Sequence, residues 1–194
     1  ELPAIESRKD LSAALVKVGD IYQALDQHDE ALDYFQQALE ASRTLMENHP
    51  SMAHRRNWVF TLCRIAEVYR LFGQLTDARH LLERAQKTYE NLIAESPSIL
   101  HRKELSLTLT QLGELYRHFE EPERSLKTYQ EALRLNEEIR EEEPCRDRQR
   151  DLSVLAVKVG DTLQHLGRPR QAIEGYQQAL ELRRGLVELD PCPL

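Results

Sequence analysis

Asp10–Asp20 reads DLSAALVKVGD, and Asp151–Asp161 reads DLSVLAVKVGD. QQALE occurs at Gln36–Glu40 and again at Gln177–Glu181, at the same separation of 141 residues. That separation is three periods of 47, and the middle copies fall in step: Pro50, Pro97, Pro144 and Pro191 are each 47 apart, as are Ala38, Ala85, Ala132 and Ala179. Self-similarity at a period of this size marks a stacked-repeat architecture, in which each unit buries its apolar face only against its neighbours. Four repeats are expected, at about 7–53, 54–100, 101–147 and 148–194.

Within one repeat, Leu11, Leu15, Val18, Tyr22 and Leu25 recur at helical spacing and define one apolar face. Trp58, Leu62, Ile65, Tyr69 and Phe72 repeat it, then Leu105, Leu109, Leu112, Tyr116 and Phe119, then Leu152, Ala156, Val159, Leu163 and Leu166. These predict first helices over about 8–25, 55–72, 102–119 and 149–166. Gly73 and Gly167 stand where a left-handed residue closes a helix, with Asp26 and Glu120 in that place in the other copies. Pro122 and Pro169 suit the first turn of a following helix. Ala31, Phe35, Ala38 and Leu45, with their equivalents, predict second helices over about 30–48, 77–95, 122–142 and 169–189. Gly19, Ala66, Gly113 and Gly160 lie in mid-helix, where glycine costs about 1 kcal/mol relative to alanine. Close approach of the paired helix, with Ala31 and Ala38 across the contact, would offset that.

Leu15, Val18, Gly19, Tyr22, Ala31, Phe35 and Ala38 resemble the tetratricopeptide-repeat pattern in residue type and spacing, four times over nearly the whole chain. The repeat is about 13 residues longer than the usual unit of about 34, similar to the long-helix repeats of kinesin light chains. The resemblance implies an all-α solenoid, a right-handed superhelix of eight long antiparallel helices. It also implies that the first helices line a concave groove.

Projected onto this chain, that groove takes Val16, Asp20 and Gln23 from the first repeat, and Phe60, Cys63, Glu67 and Arg70 from the second. From the third it takes Leu107, Thr110, Glu114, Arg117 and His118; from the fourth, Val154, Val157, Asp161, Gln164 and His165. One position is acidic in all four copies: Asp20, Glu67, Glu114 and Asp161. Such a stripe fits a basic peptide, with the apolar floor supplying anchors. The alternative is neutralisation along each helix, by Lys17–Asp20, Arg64–Glu67, Lys158–Asp161, Glu67–Arg70 and Glu114–Arg117. Some modules of the family clamp a terminal carboxylate on these helices; Val16 and Asp20 in those places imply no such role here.

The remaining features bound the function. A net charge of −7 argues against a phosphate-tracking surface and so against nucleic acid. No apolar run approaches the roughly 18 residues that span a bilayer. Cys63, Cys145 and Cys192 give no disulfide framework and suit a reducing, cytoplasmic setting. The equivalent histidines His118 and His165, like His54 and His101, stand one repeat apart, too far to share a metal ion. No cofactor loop or catalytic triad is recognisable, so no cofactor and no enzyme activity are expected. The run Glu137, Glu138, Glu141, Glu142 and Glu143 reads as a solvated helix end liable to fray. The expected function is a protein-interaction scaffold; the alternatives are a regulatory array attached to a catalytic domain elsewhere, or self-association into a homodimer through open array ends. The chain is expected to be part of a longer one.

Overall fold

Each second helix must stop before a proline, because the proline ring keeps the preceding residue out of the helical region. His49, Ser96 and Glu143 accordingly cap the helices His28–Asn48, Leu75–Glu95 and Pro122–Glu142 with φ of −139°, −151° and −131°. The residue after the proline then starts the next first helix: Ser51, Ser98 and Cys145 are extended N-caps, and the Ser51 hydroxyl accepts the His54 N–H at 3.1 Å. First helices after the prolines therefore begin three residues earlier than the apolar spacing predicts, since a polar first turn adds no periodic signal.

The computed structural model describes residues 2–188, with side chains from 5 to 187. Those residues form α1 (Leu2–Ala24), α2 (His28–Asn48), α3 (Met52–Leu71), α4 (Leu75–Glu95), α5 (Ile99–His118), α6 (Pro122–Glu142), α7 (Arg146–His165) and α8 (Pro169–Glu188). Pro191 and Cys192 lie outside the described residues. The chain divides into two units, 1–96 and 97–194. In each, helices pack on their sequence neighbours: α1 on α2, α2 on α3 and α3 on α4 in the first, and α5 through α8 likewise in the second. The fold is an all-α helical-repeat solenoid.

Each helix pair closes on a left-handed residue. Asp26, Gly73, Glu120 and Gly167 have φ of 58°, 75°, 56° and 70°. The following N–H bonds back to the carbonyl five residues earlier in every copy: Gln27 to Tyr22, Gln74 to Tyr69, Glu121 to Tyr116 and Arg168 to Leu163, at 2.8–2.9 Å. The same turn therefore forms whether or not glycine is present.

The small mid-helix residues are required by rings. A Cβ on Gly19 would lie 2.5 Å from the Phe35 ring, one on Gly113 2.5 Å from Tyr129, and one on Gly160 2.7 Å from Tyr176. Ala31 and Ala38 are fully buried as expected, but the aromatic between them occupies the contact. In the second repeat Leu82 replaces the ring and Ala66 replaces the glycine. Ring and glycine thus go together.

Two expectations change. The glutamate run is pinned: Arg102 donates two hydrogen bonds of 2.7 Å to Glu142, and Lys103 reaches Glu143 at 2.6 Å. Arg55 and Glu95 form the equivalent two-pronged pair. These clamps tie the end of α4 to the start of α3 and the end of α6 to the start of α5, so α6 stays helical to Glu142. On α1, the face expected to be buried is largely open: Leu11, Val18 and Leu25 are exposed, because no described helix lies against it.

Candidate functional site

The positions expected to line a groove are, Val16 apart, half-buried or exposed on the first helices. In the first unit, Asp20, Gln23, Phe60, Cys63, Glu67 and Arg70 are half-buried. Val16 is not a groove residue. It packs in a core cluster with Phe35, Ala38, Ile65 and Val68, because α1 turns that side toward α2 and α3. In the second unit, Leu107, Val154, Arg117, His118, Asp161, Gln164 and His165 are exposed, and Thr110, Glu114 and Val157 are half-buried.

The acidic positions are neutralised chiefly between repeats. Arg64 Nε sits 3.1 Å from Asp20 Oδ1 of the preceding repeat, while its Nη1 lies 3.5 Å from Glu67. The Arg64 guanidinium also covers the Phe60 ring at 5.1 Å. Lys158 donates to Glu114 at 2.6 Å, again one repeat back. Asp161 instead accepts the Tyr176 hydroxyl at 2.8 Å, with Gln164 Oε1 3.0 Å from the same oxygen. Of the pairs expected along one helix, Arg64–Glu67 forms, and Arg64 and Lys158 add the cross-repeat bridges. The signal was in the sequence: a basic residue three before one acid lies one period less three residues after the previous acid.

Burial shapes the titration of these groups. Desolvation raises Asp20 above the ordinary carboxylate range, with Arg64 opposing and Glu67 adding to it. Burial pushes the Tyr129 hydroxyl up to about 12, and the neighbouring Glu114 charge adds to the shift. Tyr176 is raised by desolvation first and by its bond to Asp161 second.

Six of the expected groove residues converge on one cleft of about 700 Å³ in the second unit: Glu114, Arg117, His118, Asp161, Gln164 and His165. Glu120, Pro122, Lys158 and Thr162 complete its lining. The cleft lies over the C-terminal turns of α5 and α7, where Arg117, His118 and His165 stand at the negative ends of the helix dipoles. Three carboxylates there face two permanent cations. The Glu120 turn and the Lys158 bridge were not among the expected groove residues. Leu107, Thr110, Val154 and Val157 do not line the cleft. Among the described residues no group of three or more His, Cys, Asp or Glu side chains is placed to hold a metal ion, and no helix is long and apolar enough to cross a membrane.

A chain whose helical hairpins each carry a small residue at Gly19, Ala66, Gly113 or Gly160 and a large one at Phe35, Leu82, Tyr129 or Tyr176 belongs to a recognisable class. Three family models, each described as tetratricopeptide repeat, match residues 10–91, 108–143 and 155–185. The chain belongs to the tetratricopeptide-repeat family. No curated protein matches the sequence. Among solved structures, aspartyl phosphate phosphatase F from Bacillus subtilis is similar at a TM-score of 0.72 and 17% identity, over 93% of this chain and 41% of that one. The apo form of RapI gives 0.70 and 13%, over 90% and 43%. The Rap conjugation regulator of plasmid pLS20, in complex with the Phr* peptide, gives 0.63 and 16%, over 91% and 42%. The chain spans under half the length of these relatives, and at such identities the likeness is one of fold.

Proposed function

We propose that this chain is a protein-interaction scaffold that holds an extended peptide segment against the outward faces of its first helices, centred on the cleft between α5 and α7. The observation that carries this reading is the convergence of Glu114, Arg117, His118, Asp161, Gln164 and His165 on that one opening. A peptide complex of a protein with the same fold supports it. The cleft offers a segment what extended backbone needs: an amide at Gln164, carboxylates at Asp161 and Glu120, and the carbonyl ends of two helices.

The preferred segment carries one or two basic residues. The acid stripe does not act as a continuous negative rail, because Arg64 holds both Asp20 and Glu67 and Lys158 holds Glu114. Among the described residues no cation bridges Asp161 in this way, and it is bound instead to a neutral hydroxyl. Its charge is therefore the one on which a lysine or arginine of the segment would settle.

The test is selection of phage-displayed peptides on the immobilised protein, followed by fluorescence anisotropy with the parent, Asp161→Lys and Gln164→Ala. Selected peptides enriched in basic residues, and weakened by roughly tenfold or more in Asp161→Lys, are expected. Peptides that bind both variants as well as the parent would place the binding surface elsewhere.

A further inference from the structure

Helices α1 and α8 carry apolar stripes that match the two sides of an interface found elsewhere in the chain. On α1, Leu11, Val18, Ile21 and Leu25 are exposed, Ile21 by 63%. One period later the same positions are Trp58, Ile65, Val68 and Phe72, and Ile65 and Val68 are 3% and 0% exposed. On α8, Ile173, Leu180 and Val187 are seven apart and exposed by 53%, 47% and 70%. Three periods earlier their positions are Leu32, Leu39 and Met46, all half-buried on α2. Leu32 and Leu39 pack against the cluster that contains Ile65 and Val68.

We propose that a second copy of this chain stacks on the first head to tail, with α8 of one copy seated on α1 of the next in the register that α2 takes on α3. In the second unit Leu126 and Leu133 of α6, the equivalents of Leu32 and Leu39, line one cleft with Val159 of α7, the equivalent of Ile65. The occupant of each open stripe is thus specified by the repeat itself. α1 keeps the residues that receive a second helix, and α8 keeps the residues that a second helix delivers. Apolar stripes of this regularity are rarely left in water. The interface is heterologous, since different surfaces meet, so each copy has one face to give and one to receive. Among the described helices every extensive contact joins a first helix to a second one, which an isologous pairing of α1 with α1 would not do. This inference does not depend on the peptide cleft, whose residues lie on other faces.

The experiment is sedimentation velocity of the parent chain, Ile21→Glu, Leu180→Glu, and an equimolar mixture of the two variants. Both positions are exposed, and circular dichroism checks that each variant keeps its helices. The parent is expected to associate as its concentration rises to about 100 µM, a weak but measurable range. Each variant alone should associate at least roughly tenfold more weakly, because a charge lands in the centre of the apolar contact. The mixture should form a species of twice the monomer mass and nothing larger, since it retains one intact head and one intact tail. A parent that stays monomeric throughout would overturn the proposal. So would association abolished by only one substitution and not restored by mixing, which is the signature of an isologous contact.

Discussion

Replacing Gly113 by alanine sets two effects of opposite sign against each other. In a helix interior the change alone stabilises by about 1 kcal/mol. Here the added methyl would lie 2.5 Å from Tyr129 Cε1, 2.7 Å from Cδ1 and 2.8 Å from Cζ. Tyr129 is fully buried, so its ring has no free space to move into. Overpacking of this kind costs about 1–3 kcal/mol, which leaves a net loss of about 1 kcal/mol as the expected result. In a Tyr129→Leu background the same position becomes a copy of the Ala66–Leu82 pair that α3 and α4 already use. There the alanine should regain its helical advantage and stabilise by about 1 kcal/mol. The two backgrounds therefore differ by roughly 2 kcal/mol, an interaction energy typical of residues in direct contact. Urea unfolding followed by far-ultraviolet circular dichroism, on the parent, both single variants and the double variant, measures it. Stabilisation by Gly113→Ala in both backgrounds would refute the reading that the ring dictates the glycine.

Other outcomes follow from single residues. Glu120 sits at φ 56°, so Glu120→Gly should stabilise by about 1 kcal/mol, and Gly167→Ala should destabilise by a similar amount, both read as shifts in urea midpoint. Hydrogen bonds from Arg102 hold Glu142 below the usual carboxylate range. A depressed carboxylate contributes stability that is full above its unfolded value and lost as pH falls through the folded one. Arg102→Met should therefore weaken the protein at neutral pH and leave its stability in strong acid nearly unchanged, as a pH series of thermal melts would show. Asp20 is shifted the other way, by burial, so its ionisation works against folding above the folded value and the penalty vanishes below the unfolded one. Asp20→Asn should match or exceed the parent in neutral melts, and the two should converge in acid; a clear neutral-pH loss would mean that the Arg64 pair outweighs desolvation.

The fold was legible because the repeat copies its own punctuation. Four prolines, four left-handed turn positions and four small mid-helix residues locate eight helices with no further information. What escaped was set by neighbours in space. Val16 and Val18 differ little as residues, yet Val16 enters the core while Val18 is exposed, because the described helices pack against one side of α1. The start of α3 escaped because its first turn is polar and signalled by the Ser51 cap. The glutamate run looked unstable by helix-dipole reasoning alone. Its partners, Arg102 and Lys103, lie 40 residues upstream, at the start of the same repeat. Within the candidate site, residue type and period pointed to Glu114, Arg117, His118, Asp161, Gln164 and His165, and all six line the cleft. The cross-repeat bridges of Arg64 and Lys158 needed the stacking distance between helices, which a linear pattern does not contain.

The most direct measurement is hydrogen–deuterium exchange of the whole chain with and without a selected peptide at saturation. Binding in the cleft predicts slowed exchange confined to the C-terminal turns of α5 and α7, over about 114–121 and 161–167, where backbone amides border the opening. Protection confined to α2, α4, α6 and α8, or to α1 alone, would contradict a first-helix binding surface.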